Sequence, residues 1–292
     1  MNSEQTRREF LHAAGITAVV SATGAGMCLG QENLPIEGKK PNQQEKLPPS
    51  KQLKLGMASY SLRKFNLDET IAMTNRLGLK YICLKSVHLP LESSVDEIKK
   101  AAAKVKQAGL ELYAGGVINM NTEAEVSQAF EYAKAAGMTT IIASPKPELL
   151  ELLNKKVQEY NIKVAIHNHG PQDKLYPTPA DVYEKVKNLD KRIGLCIDAG
   201  HTQRAAADPS EAVEKFADRL LDVHIKDVTA ATTKGETIEM GRGVIDIPRF
   251  IRTLLKINYT AVVSFEFEKD SDNPLPGLAE SVGYAKGVLA AI

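Results

Sequence analysis

The feature that most constrains this chain is an eightfold alternation of short apolar runs and longer stretches of helical periodicity, which begins at Leu53. In the longer stretches, such as Val95 to Ala108, apolar residues return every three or four positions, as they do on one face of a helix. Near-continuous apolar strands that alternate with helices are typical of a parallel sheet covered on its outer face. We predict the strands at Lys54–Tyr60, Tyr81–Lys85, Glu111–Gly115, Thr140–Ala143, Lys163–His167, Ile193–Asp198, Leu221–Ile225 and Ala261–Glu266.

Eight strand–helix units in about 240 residues match the size of a TIM barrel. We therefore predict an α/β fold, a (β/α)₈ TIM barrel that forms a single domain over residues 53–292. The main structural alternative is an open, doubly wound sheet. That alternative is disfavoured because no G-x-G-x-x-G motif opens the first helix.

The first thirty residues have the pattern of an export signal. The segment Thr6–Leu11 reads T-R-R-E-F-L, a twin-arginine signature, and an apolar stretch and a run of small residues follow it. This order is typical of a signal peptide, and an ordinary amphipathic helix is the alternative. We predict a twin-arginine signal peptide at residues 1–30 and a flexible linker rich in Pro, Lys, Gln and Asn at 31–52. The expected location is periplasmic or otherwise exported.

Charge and composition exclude two classes of partner. Lys and Arg total 37 and Asp and Glu total 36, so the chain lacks the basic surface that nucleic acid binding needs. No run of 18 or more apolar residues occurs, which predicts that the mature form has no membrane anchor.

Of the three cysteines, Cys28 falls in the leader, whereas Cys83 and Cys196 fall in apolar strands. We expect the latter two to be buried free thiols rather than a disulfide.

Histidines follow the predicted strands. In a TIM barrel, the side chains at the carboxyl ends of the strands surround the active site. Five histidines beyond the leader lie at or just past such an end: His88, His167, His169, His201 and His224. A single histidine is more often a core or surface residue than a ligand, but five that converge on one face indicate a site.

Two carboxylates have the same placement. Asp198 and Glu266 each come directly after an apolar strand, where an ionised carboxylate is costly unless it is paired or bound to a metal. A strand-end salt bridge is the alternative for either residue alone. Together with His167 and His224, they form a candidate ligand set on strands five to eight. Mixed imidazole and carboxylate ligands suit one divalent ion, which we leave open among Mn²⁺, Co²⁺, Zn²⁺, Fe²⁺ and Mg²⁺.

Lysines also follow strands. Lys85 ends the second strand and Lys146 follows the fourth. A lysine in the barrel mouth can bind an alkoxide or, with a lowered pKa, move a proton, whereas the alternative is a lysine that extends to solvent. We interpret Lys226 and Asp227 as structural partners of neighbouring strand ends. Glu268 is expected to point outward, because side chains alternate along a strand.

The spacing of these residues resembles that of the xylose isomerase-like sugar phosphate isomerase/epimerase superfamily. Four segments carry the resemblance: Gly194–His201 (GLCIDAGH), Asp222–Asp227 (DVHIKD), Gly241–Asp246 (GRGVID) and Ser264–Glu268 (SFEFE). The resemblance covers about residues 53–292 and implies a metal held by a Glu, an Asp, a His and a second Glu. The last three correspond to Asp198, His224 and Glu266. It also implies that His201 and Arg242 contact substrate.

The sequence departs from the superfamily at the first ligand. His167-Asn168-His169 stands where Glu-Asn-His or Glu-Pro is usual. The ligand set is therefore less negative by one charge, which makes the metal a stronger Lewis acid. In the epimerases of the superfamily, two glutamates exchange a proton on either side of one carbon, and His167 places that exchange in doubt.

The expected function is that of a metal-dependent isomerase or epimerase that abstracts a C–H proton next to the metal-chelated carbonyl of a small-molecule sugar. We assign proton transfer to Glu266, His201 and Lys85, and substrate binding to His88, His169, Arg242 and Lys146.

Three alternatives remain. An exported protein meets free, oxidised or glycosidic sugars rather than sugar phosphates, which favours a metal-dependent lyase or dehydratase acting on 3-keto-glycosides. A non-catalytic periplasmic sugar-binding barrel is the second alternative. A nuclease resembling endonuclease IV is disfavoured by the missing basic surface and by too few ligands. The oligomeric state is left open.

Overall fold

The computed structural model describes residues 53–292. The strands are β1 (Lys54–Ala58), β2 (Tyr81–Leu84), β3 (Glu111–Met120), β4 (Thr140–Pro145), β5 (Lys163–His167), β6 (Ile193–Asp198), β7 (Leu220–Ile225), β8 (Asp227–Val228), β9 (Thr237–Ile238) and β10 (Val262–Phe265). Eight of them are parallel and close into a barrel in the order β1-β10-β7-β6-β5-β4-β3-β2, which confirms the predicted TIM barrel and all eight strands. β8 and β9 pair with each other as an antiparallel hairpin outside the barrel.

Helices cover the outside of the barrel. They are α1 (Leu67–Arg76), α2 (Val95–Gln107), α3 (Glu123–Ala136), α4 (Leu150–Tyr160), α5 (Pro179–Val186), α6 (Ala199–Arg204), α7 (Pro209–Lys215), α8 (Ile247–Lys256) and α9 (Leu275–Ala291). Capping boxes at Asn66, Ser94, Thr122 and Thr178 fix the starts of α1, α2, α3 and α5, because the side chain and the third helical residue satisfy each other's backbone N–H groups. None of the helices in this part of the chain is long and apolar enough to span a membrane.

The strands separate two sets of buried side chains. One set packs against the helices, and a smaller set, which includes Cys83, Ile142, Ala165 and Cys196, packs inside the barrel. Cys83 and Cys196 are buried and free, as the sequence predicts. The predicted signal peptide and linker, together with Cys28, lie outside the described residues and stay predictions.

The loop after β7 is anchored by one carboxylate. Asp227 is buried and accepts hydrogen bonds from the backbone N–H groups of Val228, Gly241, Gly243 and Ile245, at 2.8–3.2 Å. Position 243 needs glycine, since a Cβ there would lie 2.2 Å from the Asp227 Oδ1 atom. Asp227 is thus a structural residue, as the sequence indicates, although it binds backbone groups rather than a neighbouring strand end.

A buried arginine ties α5 to the start of β6. The Arg219 side chain is 2% exposed and donates to four backbone carbonyls at 2.6–3.0 Å. The acceptors are the carbonyls of Lys187, Leu189, Asp190 and Ile193. The guanidinium satisfies carbonyl groups that would otherwise lose both water and a partner.

We expect Arg219→Met to lower the free energy of unfolding by about 3 kcal/mol, because it leaves several buried carbonyls unpaired. The control is Arg242→Met, which removes an exposed ion pair and should change the same quantity by less than about 1 kcal/mol. Urea denaturation measures both. Equal effects in the two variants would contradict the anchoring role.

Candidate metal centre

Four strands bring the predicted ligands to one point at the carboxyl end of the barrel. His167 ends β5, Asp198 ends β6, His224 lies on β7, and Glu266 directly follows β10. Asp198 and His224 are register partners of adjacent strands. All four side chains are buried, with 0–7% of each residue exposed.

The four side chains match the spacing of ligands around one small ion. One donor atom from each lies within 4.8 Å of the others. The His167 Nε2 atom is 3.4 Å from Asp198 Oδ2, and His224 Nδ1 is 3.2 Å from Glu266 Oε2. Around a tetrahedral ion with bonds of about 2.0–2.1 Å, neighbouring ligand atoms lie about 3.3–3.4 Å apart.

His167 and His224 have buried ring nitrogens that make no hydrogen bond within residues 53–292. Neither ring nitrogen of His167 has a hydrogen-bond partner among residues 53–292, although the side chain is buried. Burial holds the pKa of His167 well below its usual value, so the imidazole is neutral and offers a lone pair. Buried polar atoms without partners are costly, and coordination of a cation would satisfy them. The residues present therefore fit a divalent ion.

The ammonium group of Lys226 lies between the two carboxylates. Its Nζ atom is 3.0 Å from Asp198 Oδ2, 2.7 Å from Glu266 Oε2 and 2.5 Å from Glu268 Oε1. Gly200 makes room for it, since a Cβ at that position would lie 2.4 Å from Lys226 Cγ. Lys226 does pair with neighbouring strand ends, but these are the ends that carry the candidate ligands.

This contact determines the charge state of the carboxylates. Burial raises the pKa values of Asp198 and Glu266, but the Lys226 ammonium and the neighbouring histidines together outweigh burial and hold both well below their usual range. Burial likewise lowers the pKa of Lys226, and the carboxylates around it outweigh that effect and raise it. The cluster is thus ionised at neutral pH.

Two further predicted histidines lie beside the ligands. The His169 ring centre is 4.4 Å from that of His167, and the His201 ring centre is 5.8 Å from each of the other two. Burial lowers the pKa values of His169 and His201, so both rings are neutral at neutral pH. The structure therefore places a proton-transfer candidate and a substrate-binding candidate at the metal centre.

Lys85 lies on the other side of the mouth. Its Nζ atom donates to the Val117 carbonyl at 2.8 Å and lies 5.8 Å from the centre of the Tyr60 ring. Burial lowers the pKa of Lys85, which brings it closer to the range useful for proton transfer. Lys146, by contrast, makes no side-chain hydrogen bond or ion pair within residues 53–292, and nothing ties it to the centre.

Two substrate-binding predictions are corrected. His88 is buried, and its ring nitrogens lie 2.9 Å from Ser59 Oγ and 3.0 Å from Thr70 Oγ1, so the ring holds the turn after β1 against α1. Arg242 forms a bidentate pair with Glu280 of α9, at 2.5 and 2.7 Å, in a surface cavity that contains none of the four ligands. Both side chains are occupied in structural contacts.

The prediction for Glu268 is also wrong. Its side chain turns toward Lys226 rather than outward. Glu266 and Glu268 are two residues apart, so alternation itself places both on the inward face, and the prediction applied that period wrongly.

Two residues were not predicted to belong to the site: Asp222, on β7, and Lys226, just beyond it. Asp222 lies behind His224, with its Oδ1 atom 3.8 Å from His224 Nε2, and burial raises the pKa of Asp222 to about 7. Asp222, His224 and Lys226 are two residues apart, so alternation places all three on the inward face. That period was readable from the sequence.

The pattern of the xylose isomerase-like TIM barrel matches residues 71–287. The chain belongs to this family. Over 149 residues it is 27% identical to the rhizopine catabolism protein MocC of Rhizobium meliloti. This alignment covers 46% of this chain and 44% of that protein. It is 28% identical over 151 residues to an inosose dehydratase of Histophilus somni, covering 46% and 48%. The chain thus aligns with less than half the length of these relatives.

Two solved structures of other proteins share the fold over almost their whole length. The IolI protein with a bound zinc atom superposes with a TM-score of 0.69 at 19% identity, covering 82% of this chain and 99% of that one. The 3-keto-D-glucoside 4-epimerase YcjR of E. coli superposes with a TM-score of 0.67 at 17% identity, covering 81% and 100%. These superpositions show that the fold is shared.

We expect Asp198→Ala and His224→Ala to abolish stoichiometric metal binding, because each removes one of four ligands. His201→Ala should keep the metal, since His201 lies beside the ligand set and not in it. Metal content after loading and desalting is measured by mass spectrometry. Retention of a full equivalent by either ligand variant would sink the assignment.

We expect Lys226→Met to destabilise the metal-free protein by roughly 3–5 kcal/mol, because two buried carboxylates lose their counter-charge. The same change should tighten metal binding, because it removes a competing cation. Denaturation with and without metal, and calorimetric titration, measure the two effects. If Lys226→Met had the same metal-free stability and the same metal affinity as the wild-type protein, Lys226 would not be the counter-charge of the two carboxylates.

Proposed function

We propose that this protein is a metal-dependent enzyme that removes a proton from the carbon next to the carbonyl of a keto-sugar and then eliminates a β-substituent. The observation that carries the proposal is a buried, ionised carboxylate, Glu266, in the ligand cluster, with the Lys226 Nζ atom 2.7 Å from its Oε2 atom. The metal would be held by His167, Asp198, His224 and Glu266. A divalent ion in such a site supplies Lewis acidity that polarises a carbonyl and acidifies the neighbouring C–H bond.

The replacement at His167 favours elimination over epimerisation. Inversion at carbon needs a proton acceptor on one face and a donor on the other, as two facing glutamates supply. His167 is neutral, and its lone pair would be committed to the metal. Elimination needs only one base, because Glu266 can return the proton it takes to the leaving oxygen. In the elimination a C–H bond and a C–O bond break and a C=C bond forms. The leaving oxygen takes the proton from Glu266 and departs as an alcohol or as water.

Other groups of the mouth bind and orient the substrate. Lys226 keeps Glu266 ionised through the 2.7 Å contact between its Nζ atom and Glu266 Oε2. The neutral rings of His169 and His201 can donate or accept at hydroxyl groups. Two similar proteins, an inosose dehydratase and a 3-keto-D-glucoside 4-epimerase, support a keto-sugar as substrate, and the dehydratase supports an elimination.

Isomerisation is the second candidate. One base also suffices for it, because the proton removed from one carbon returns to its neighbour, and Lys85, with its lowered pKa, is placed to assist. The twin-arginine pattern supports an exported enzyme that meets free or glycosidic sugars under either candidate.

We expect the metal-loaded full chain, incubated in D₂O with 3-keto-glucosides and ketoses, to release the β-substituent, with the product identified by NMR. Glu266→Gln should lower the rate at least about 100-fold, the typical contribution of a general base. Glu280→Gln, a surface carboxylate paired with Arg242, is the matched control and should retain the rate.

Two results would contradict the elimination. Deuterium on an intact sugar of inverted configuration would establish an epimerase, and deuterium on an isomerised sugar would support the second candidate. Tight sugar binding with neither exchange nor product would indicate a non-catalytic barrel.

A further inference from the structure

A cavity of about 380 Å³ opens beside the metal centre, between α6 and the β8–β9 hairpin. We call it the hairpin cavity. Its wall includes His201, Arg204, Lys226, Thr237 and Glu268. Its size falls in the range of cavities that hold a small organic molecule.

The hairpin cavity shares a wall with the metal centre. His201 lies beside His167, and Lys226 binds the two ligand carboxylates, yet both residues also line the cavity. A molecule that reacts next to Glu266 and carries a substituent on the His201 side would place that substituent in the cavity. The cavity is therefore an extension of the site.

Arg204 has unused hydrogen-bonding capacity. Its guanidinium donates to the Thr233 carbonyl at 3.2 Å and approaches Gln172 Oε1 at 3.5 Å. Its Nε atom is buried without a partner, and within residues 53–292 no carboxylate lies within ion-pair distance of the side chain. Three of the other arginines on this half of the chain, Arg192, Arg242 and Arg249, do have such a carboxylate.

The wall presents donors and acceptors together. Arg204 can donate, Glu236 can accept and the Thr237 hydroxyl can do either, whereas Lys269 and Glu268 are already paired with Glu239 and Lys226. An anionic ligand would face the two carboxylates, and an apolar ligand would leave the charged groups unsatisfied. Hydroxyl groups both donate and accept, so a neutral sugar ring satisfies this wall best.

We infer that the hairpin cavity is the subsite for the second sugar ring of a keto-glycoside, and that this ring is the leaving group. The inference rests on the elimination proposed above. The bond that breaks joins the keto-sugar to the glycosidic oxygen. That oxygen leaves as a hydroxyl of the second sugar, with the proton that Glu266 removed, and the reaction needs no oxidant or further reactant.

The test compares substrates of one and two rings. The metal-loaded full chain is assayed with the 3-keto derivatives of methyl glucoside and of cellobiose. Arg204→Ala removes the guanidinium from the cavity wall, and Thr237→Phe fills the cavity at a position that is not one of the four candidate metal ligands. Arg252→Ala, on the exposed face of α8, is the control.

We expect Arg204→Ala and Thr237→Phe to lower kcat/KM for the two-ring substrate about tenfold, the loss of one hydrogen bond to a charged group. The value for the one-ring substrate should change less than about twofold, and Arg252→Ala should alter neither. An equal loss for both substrates, or no loss for either, would overturn the subsite. The 3-keto derivative of methyl glucuronide, a one-ring substrate with a carboxylate, is assayed as well. If the two variants selectively lowered kcat/KM for this substrate instead, the cavity would be an anion site, and the sugar subsite would likewise be overturned.

A binding measurement separates this inference from the proposed function. Saturation-transfer NMR of the metal-free full chain with unoxidised cellobiose and methyl glucoside requires no turnover. A preference for cellobiose that Thr237→Phe removes supports the subsite even if no keto-sugar reacts, and the proposed function then fails alone. Equal binding of both sugars by the wild-type protein overturns the subsite whatever the chemistry.

Discussion

The contact on which this site depends is the one between the Lys226 ammonium and the carboxylates of Asp198 and Glu266. Two buried carboxylates at the end of a barrel would repel each other and would each lose hydration. The ammonium compensates both, and it can reach them because position 200 is glycine. The metal centre thus carries its own internal cation. The positions of His224, which contacts Glu266, and of Glu268, which contacts Lys226, follow from the same cluster.

Much of the fold follows from the sequence, because strand and helix periodicities are local properties. The ends of β5 and β6 coincide with the apolar runs, since a charged or polar residue directly follows each run. The ligand set followed from the same rule, because parallel strands of a barrel end on one face. What could not be read locally is the use of a side chain by distant elements. His88 follows a strand like the other histidines, but residues of the turn after β1 and of α1 take up both of its nitrogens.

Lys226 and Arg242 illustrate two different limits. The alternation of β7 placed Lys226 inside, but its three partners come from β6 and from the segment after β10, which only the closed barrel brings together. Arg242 lies in a segment that matches the family pattern, yet Glu280, 38 residues away on α9, binds its guanidinium. Resemblance identifies a residue type at a position and leaves its partner undetermined.

The anchoring of the loop after β7 by Asp227 has an evolutionary consequence. One buried carboxylate fixes both ends of this excursion, at Val228 and at Gly241 to Ile245, and it sits next in sequence to Lys226. The intervening residues form one wall of the hairpin cavity and contribute no metal ligand. Insertions or substitutions between these two fixed ends can therefore reshape the hairpin cavity, while the candidate ligands keep their positions. This wall of the cavity and the candidate ligand set are thus separable along the chain, since one short segment supplies the first and four strand ends supply the second.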